Sequence, residues 1–97
     1  MASIRRLKKD IDYVADMVIQ DCFLYMEFHD EKTQLAAWEI IIELDNRRCD
    51  FIQKANHPDG KNNPKLVKKH YKGLILDFID TINKSYTKLN ELVKTVD

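Results

Sequence analysis

Between Met1 and His57 the chain contains neither glycine nor proline, the two residues that most strongly punctuate local structure. Over that stretch apolar side chains return every three or four positions. Ile4, Leu7, Ile11, Val14, Val18, Cys22 and Tyr25 form one such stripe, which is the period of a helix and not of a strand. A second dense apolar segment, LAAWEIIIELDNRRCDFIQKA, covers residues 35–55. A third runs over residues 66–96, where Val67, Tyr71, Leu74, Phe78, Ile82, Leu89, Leu92 and Val96 keep the helical spacing. The pattern predicts three long helices.

The first break has no glycine or proline to mark it, and the phase of the pattern locates it. At 100° per residue the first stripe, extended without interruption, would carry Glu39 and Glu43 onto the core face. A tight turn near residues 29–32 is therefore expected, and Asp30 and Glu31 suit the positive N-terminal end of the helix that follows. The second break is explicit. His57-Pro58-Asp59-Gly60 places proline, aspartate and glycine as a type I turn uses them. Asn63-Pro64 then reads as an N-cap followed by proline at the first helical position, and Ser3 is a similar N-cap for the first helix. Short connections make neighbouring helices antiparallel. The fold expected is all-α, an antiparallel up-down-up three-helix bundle with long helices, forming one domain over residues 1–97.

Composition agrees. Hydrophobic residues make up 44% and charged residues 33% of the 97, with two glycines and two prolines, a balance that favours a helix-rich globular chain over disorder. A chain this long buries about 65% of its unfolded surface, enough for one core. No apolar run approaches the roughly 20 residues of a membrane span, and MASIRRLKKD lacks the apolar centre of a secretory signal. A cytoplasmic protein with no membrane association is expected. Cys22 and Cys49 form neither a CxxC pair nor a zinc cluster and read as small buried apolar residues. They are not expected to bridge, because the position opposite Cys22 in the first hairpin is close to residue 40.

Lys+Arg and Asp+Glu both number 16, so net charge names no partner. The distribution is uneven. Residues 13–46 hold one lysine against eight carboxylates, whereas residues 47–72 hold Arg47, Arg48, Lys54, Lys61, Lys65, Lys68, Lys69 and Lys72 against Asp50 and Asp59. Up-down-up topology gathers the latter with Arg5, Arg6, Lys8 and Lys9 at one end of the bundle. Arg48, His57, Lys65, Lys68, Lys69 and His70 are the anion-binding candidates there, with the amides of the third helix as additional donors. Against this stands a solvated face whose lysines complement the C-terminus of the second helix. Nucleic acid is not an expected partner, because the one nearby aromatic, Tyr71, falls on the core stripe.

Other constellations carry less. Glu39, Glu43, Asp77 and Asp80 come level across the second hairpin but lie off the facing stripes, and no Glu-x-x-His pair is present. No metal and no cofactor is expected. Asp45 and Arg48 share the apolar side of the second helix, where unpaired charges are costly, so a buried polar network of Asp45, Arg48 and Tyr71 is expected. No serine or cysteine has a base partner, and no catalytic residue is assigned. Met17, Phe23, Leu24, Phe28, Ile40 and Leu44 exceed what a three-helix core needs and are the expected interface of a homodimer or protein partner. The function expected is that of a self-associating interaction or adaptor module, with a small anion-binding protein or enzyme using the basic end as the competing class.

Overall fold

The computed structural model describes residues 4–58 and 62–94. Among them the chain forms α1 (Ile4–Glu27), α2 (Glu31–Asn56) and α3 (Pro64–Lys94), with no strand. Contacts between Phe23 and Trp38 and between Lys8 and Asn56 make α1 and α2 antiparallel. Those between Phe51 and Phe78 and between His70 and Lys54 do the same for α2 and α3. This is the three-helix bundle that the periodicity implies. The Ser3 cap, Val96 and the Asp59-Gly60 part of the second turn lie outside the described residues.

The first turn forms without glycine because polar side chains take up the helix-end groups that water would otherwise serve. Asp30 caps α2, its Oδ1 accepting from the Thr33 amide at 3.0 Å and the Thr33 hydroxyl at 2.6 Å. Those bonds hold the Asp30 carboxyl below the usual aspartate range. At the end of α1, Gln34 Nε2 donates to the carbonyls of Met26 at 2.8 Å and His29 at 3.0 Å. The His29 ring donates from Nδ1 to Tyr25 O at 2.6 Å and stacks on the Tyr25 ring with centroids 3.9 Å apart.

One core runs the length of the bundle. Ile11, Ala15, Val18, Cys22 and Tyr25 from α1 meet Ala37, Ile40, Ile41, Leu44, Phe51 and Ala55 from α2 and Leu74, Phe78, Ile82 and Leu89 from α3. The Phe51 and Phe78 rings meet edge to face at 5.4 Å, an arrangement worth about 0.5–1.5 kcal/mol beyond area burial. Among the described residues Ser85 is the buried polar one, and its hydroxyl donates back to Thr81 O at 3.1 Å.

The second hairpin differs from simple mirror pairing about residues 56–63. Tyr71 comes level with Ala55 rather than with Arg48, as its hydroxyl bond to Ala55 O shows, because the first two turns of α3 project past the end of α2. The molecule is consequently a rod of 53 × 19 × 18 Å.

Candidate functional site

At the basic end, Asn63 Oδ1 accepts from the amides of Lys65 at 3.0 Å and Leu66 at 3.4 Å, and Asn63 O accepts from Val67 N at 3.0 Å. These amides of α3 are thus committed to their own cap and are not open donors for an anion. The C-terminal carbonyls of α2 are likewise closed: His70 Nε2 donates to Lys54 O at 2.7 Å, the Tyr71 hydroxyl to Ala55 O at 2.8 Å, and His57 N to Gln53 O at 3.1 Å.

A groove of about 490 Å³ lies between the end of α2 and the start of α3, lined by Lys54, His57, Leu66, Lys69, His70, Gly73, Leu74 and Asp77. It brings together three of the expected anion ligands, His57, Lys69 and His70. Lys65 and Lys68 are not among its lining residues. Lys54 is an addition, found only once the overhang of α3 is known; its ammonium also sits 5.9 Å from the centre of the Phe51 ring. The Asp77 carboxylate and the negative end of α2 oppose an anion in this groove.

Arg48 is not part of it. Its guanidinium pairs with Asp45 and with Asp16 at 3.4 Å, and lies 3.8 Å from Asp12. The expected network is corrected in two respects. Asp45 and Arg48 do pair, but at a half-exposed site on the α1–α2 flank. Tyr71 takes no part, since Ala55 is seven residues and about 10 Å along α2 from Arg48. Asp12 and Asp16 are the partners that sequence reasoning missed; the α1–α2 register about residue 30 carries the signal for them.

The expected interface divides. Met17, Phe23, Leu24 and Phe28 are 45%, 45%, 58% and 76% exposed, whereas Ile40 and Leu44 are 6% and 1% exposed and belong to the core. Both lie on the α2 strip that meets α1 and α3 together, so the bundle itself covers them. Cys49, expected to be buried, is exposed, and so is Ile42. α2 packs against α1 on one flank and α3 on the other, which turns these two outward. Cys22 is buried, with burial and then the Asp21 charge pushing its thiol up to about 11, so it stays protonated and inert.

Two exposed apolar surfaces result. One, on the α1–α2 flank, is built around Phe23 and Trp38, whose ring centroids are 5.8 Å apart. The other is an open seam between α1 and α3 of about 310 Å³, lined by Leu7, Asp10, Ile11, Val14, Leu74, Ile75, Phe78, Ile79, Ile82 and Asn83. Core residues form its floor and half-exposed Ile75 and Ile79 its rim. Further along, Asp21 accepts from the Tyr86 hydroxyl at 2.7 Å and ties the two helices together. That bond, with burial and the Asp21 charge, pushes the Tyr86 phenol up to about 12.

Two of the acidic residues that come level across the second hairpin have basic partners instead of one another. Glu43 pairs with Lys88 at 2.6 Å and Asp80 with Lys84 at 3.0 Å, and among the described residues no group of three or more His, Cys, Asp or Glu is placed to hold a metal ion. No helix among them is long and apolar enough to cross a membrane. In comparison with known proteins, the chain matches no family model, no curated protein and no solved structure.

Proposed function

We propose that this chain is a helical interaction module that self-associates through its apolar seam. The observation that carries this reading is the surface the fold leaves uncovered. A compact monomer of 11.5 kDa exposes about 5,800 Å² by the surface–mass relation. This chain exposes 7312 Å². Its radius of gyration is 15.9 Å, against about 12.5 Å for a compact domain of the same length. A stable interface removes about 800 Å² per partner, well within the excess. Much of what is exposed is apolar, including Met17, Phe23, Leu24, Phe28, Trp38, Ile75 and Ile79. Sedimentation equilibrium across micromolar concentrations tests the reading. A mass rising to twice that of the chain is expected, and a constant single-chain mass would refute it.

The groove of Lys54, His57, Lys69 and His70 favours a second reading, binding of a small phosphate or carboxylate compound over its Leu66–Leu74 wall. It is the weaker of the two, because Asp77 and the α2 C-terminus act against it. An anion that binds only the folded state raises the melting temperature. On this reading millimolar pyrophosphate raises it for the native chain and not for Lys54→Ala/Lys69→Ala. An equal response of both chains, or of neither, removes it.

A further inference from the structure

The charge pattern along the α1–α3 seam selects one way for a second copy to dock. Ile79 is half exposed at the rim. Lys72 lies seven residues before it on α3, and Tyr86, which holds Asp21, lies seven residues after it. Both distances are about 10 Å along the helix. Lys68, Lys72, Ile75, Ile79 and Tyr86 share the flank of α3 that faces α1, by their angular positions on the helix. A parallel pairing with its axis along the rod sets Lys72 against its own copy and Asp21 against its own copy, which repels at both places.

We infer that two copies pack antiparallel along the α1–α3 seam, with the two-fold axis passing Ile79. This rests on the self-association proposed above. In that arrangement Lys72 of each copy comes level with the Asp21–Tyr86 pair of the other, and Ile79 meets Ile79. Met17, one turn before Asp21, comes about level with Ile75 of the second copy and covers it. Asp10, which lines the seam, comes level with the neutral Asn83. An isologous contact of this kind is closed, so it ends at a dimer and does not propagate into a filament.

The test is site-directed cross-linking of the full chain with a short bis-maleimide. Cys49 is replaced by serine, and the buried Cys22 stays in place. Ile79→Cys in this background is expected to give a covalent dimer, and Lys72→Cys, which a parallel pair would set against its own copy and an antiparallel pair holds about 21 Å from it, is expected to give none. Lys72→Glu is expected to weaken the dimer on the order of tenfold at low salt, because symmetry repeats the altered contact, with the difference shrinking as salt is added. A dimeric mass with no cross-link at Ile79→Cys, or with one at Lys72→Cys, overturns the orientation while self-association stands. A single-chain mass for the unaltered protein overturns self-association itself, and the orientation with it.

Discussion

Single side chains in this bundle act mostly by closing groups the fold leaves open, and Tyr86 shows how pH reads one of them. Its hydroxyl donates to Asp21, and the phenol is pushed from 10.0 up to about 12. Because the folded value is the higher, the folded state holds the proton that the unfolded state has already lost between these limits. The contribution is complete below pH 10 and disappears as pH rises through about 12. Tyr86→Phe is therefore expected to be less stable than the native chain at pH 9, with the gap narrowing towards pH 12 in urea titrations; a gap that does not change with pH would detach the shift from this bond. At this scale the sequence is legible only where partners share a helix. Asp45 and Arg48, three residues apart, could be paired from the sequence. The register about residue 30 brings Asp12 and Asp16 level with Arg48, but their side of the helix and the exposure of Cys49 depend on which flank of α2 meets α1 and which meets α3.

Helix ends decide the elements. The α1–α2 turn is visible in the sequence as a change of phase, since Glu39 and Glu43 would otherwise face the core. Asp30 is legible as a residue suited to the start of α2, but the bonds by which Gln34 closes the end of α1 are not, because glutamine is an ordinary residue inside helices. The start of α3 is plainer: Asn63-Pro64 announces a cap, and the bonds to Lys65 and Leu66 are present. Asn63→Ala is expected to cost about 1 kcal/mol, the usual value for a lost N-cap, read as a lower urea midpoint with an unchanged slope. What the cap does not encode is how far α3 slides past α2. That overhang set Tyr71 on Ala55 and not on Arg48, so the expected network failed while the helices themselves were placed within a few residues. The groove at this end brings together His57, Lys69 and His70 of the expected anion ligands, whereas Arg48 is held by Asp16 and Asp45 further along α2 and Lys68 lies on the flank of α3 that faces α1.

For the whole molecule, three long helices buy an extended core at the cost of surface. Periodicity makes the bundle readable, but it measures only the width of an apolar stripe, not which part of it a neighbour covers. The width of the stripe therefore assigns Ile40 and Leu44 to an interface although they belong to the core, and gives no sign that Ile75 and Ile79 are half exposed. The segregated charge is the other whole-molecule property: basic ends of α1, α2 and α3 gather at one pole while carboxylates occupy much of the rest. An antiparallel pair brings the two regions together and covers the seam in one step. The most direct measurement is sedimentation equilibrium of the unaltered chain at low salt, run beside Ile79→Glu. Self-association through the seam requires a mass approaching twice 11.5 kDa for the first and a return to the single-chain mass for the second; a native chain at 11.5 kDa throughout, or a variant that pairs as well as the native chain, would contradict it.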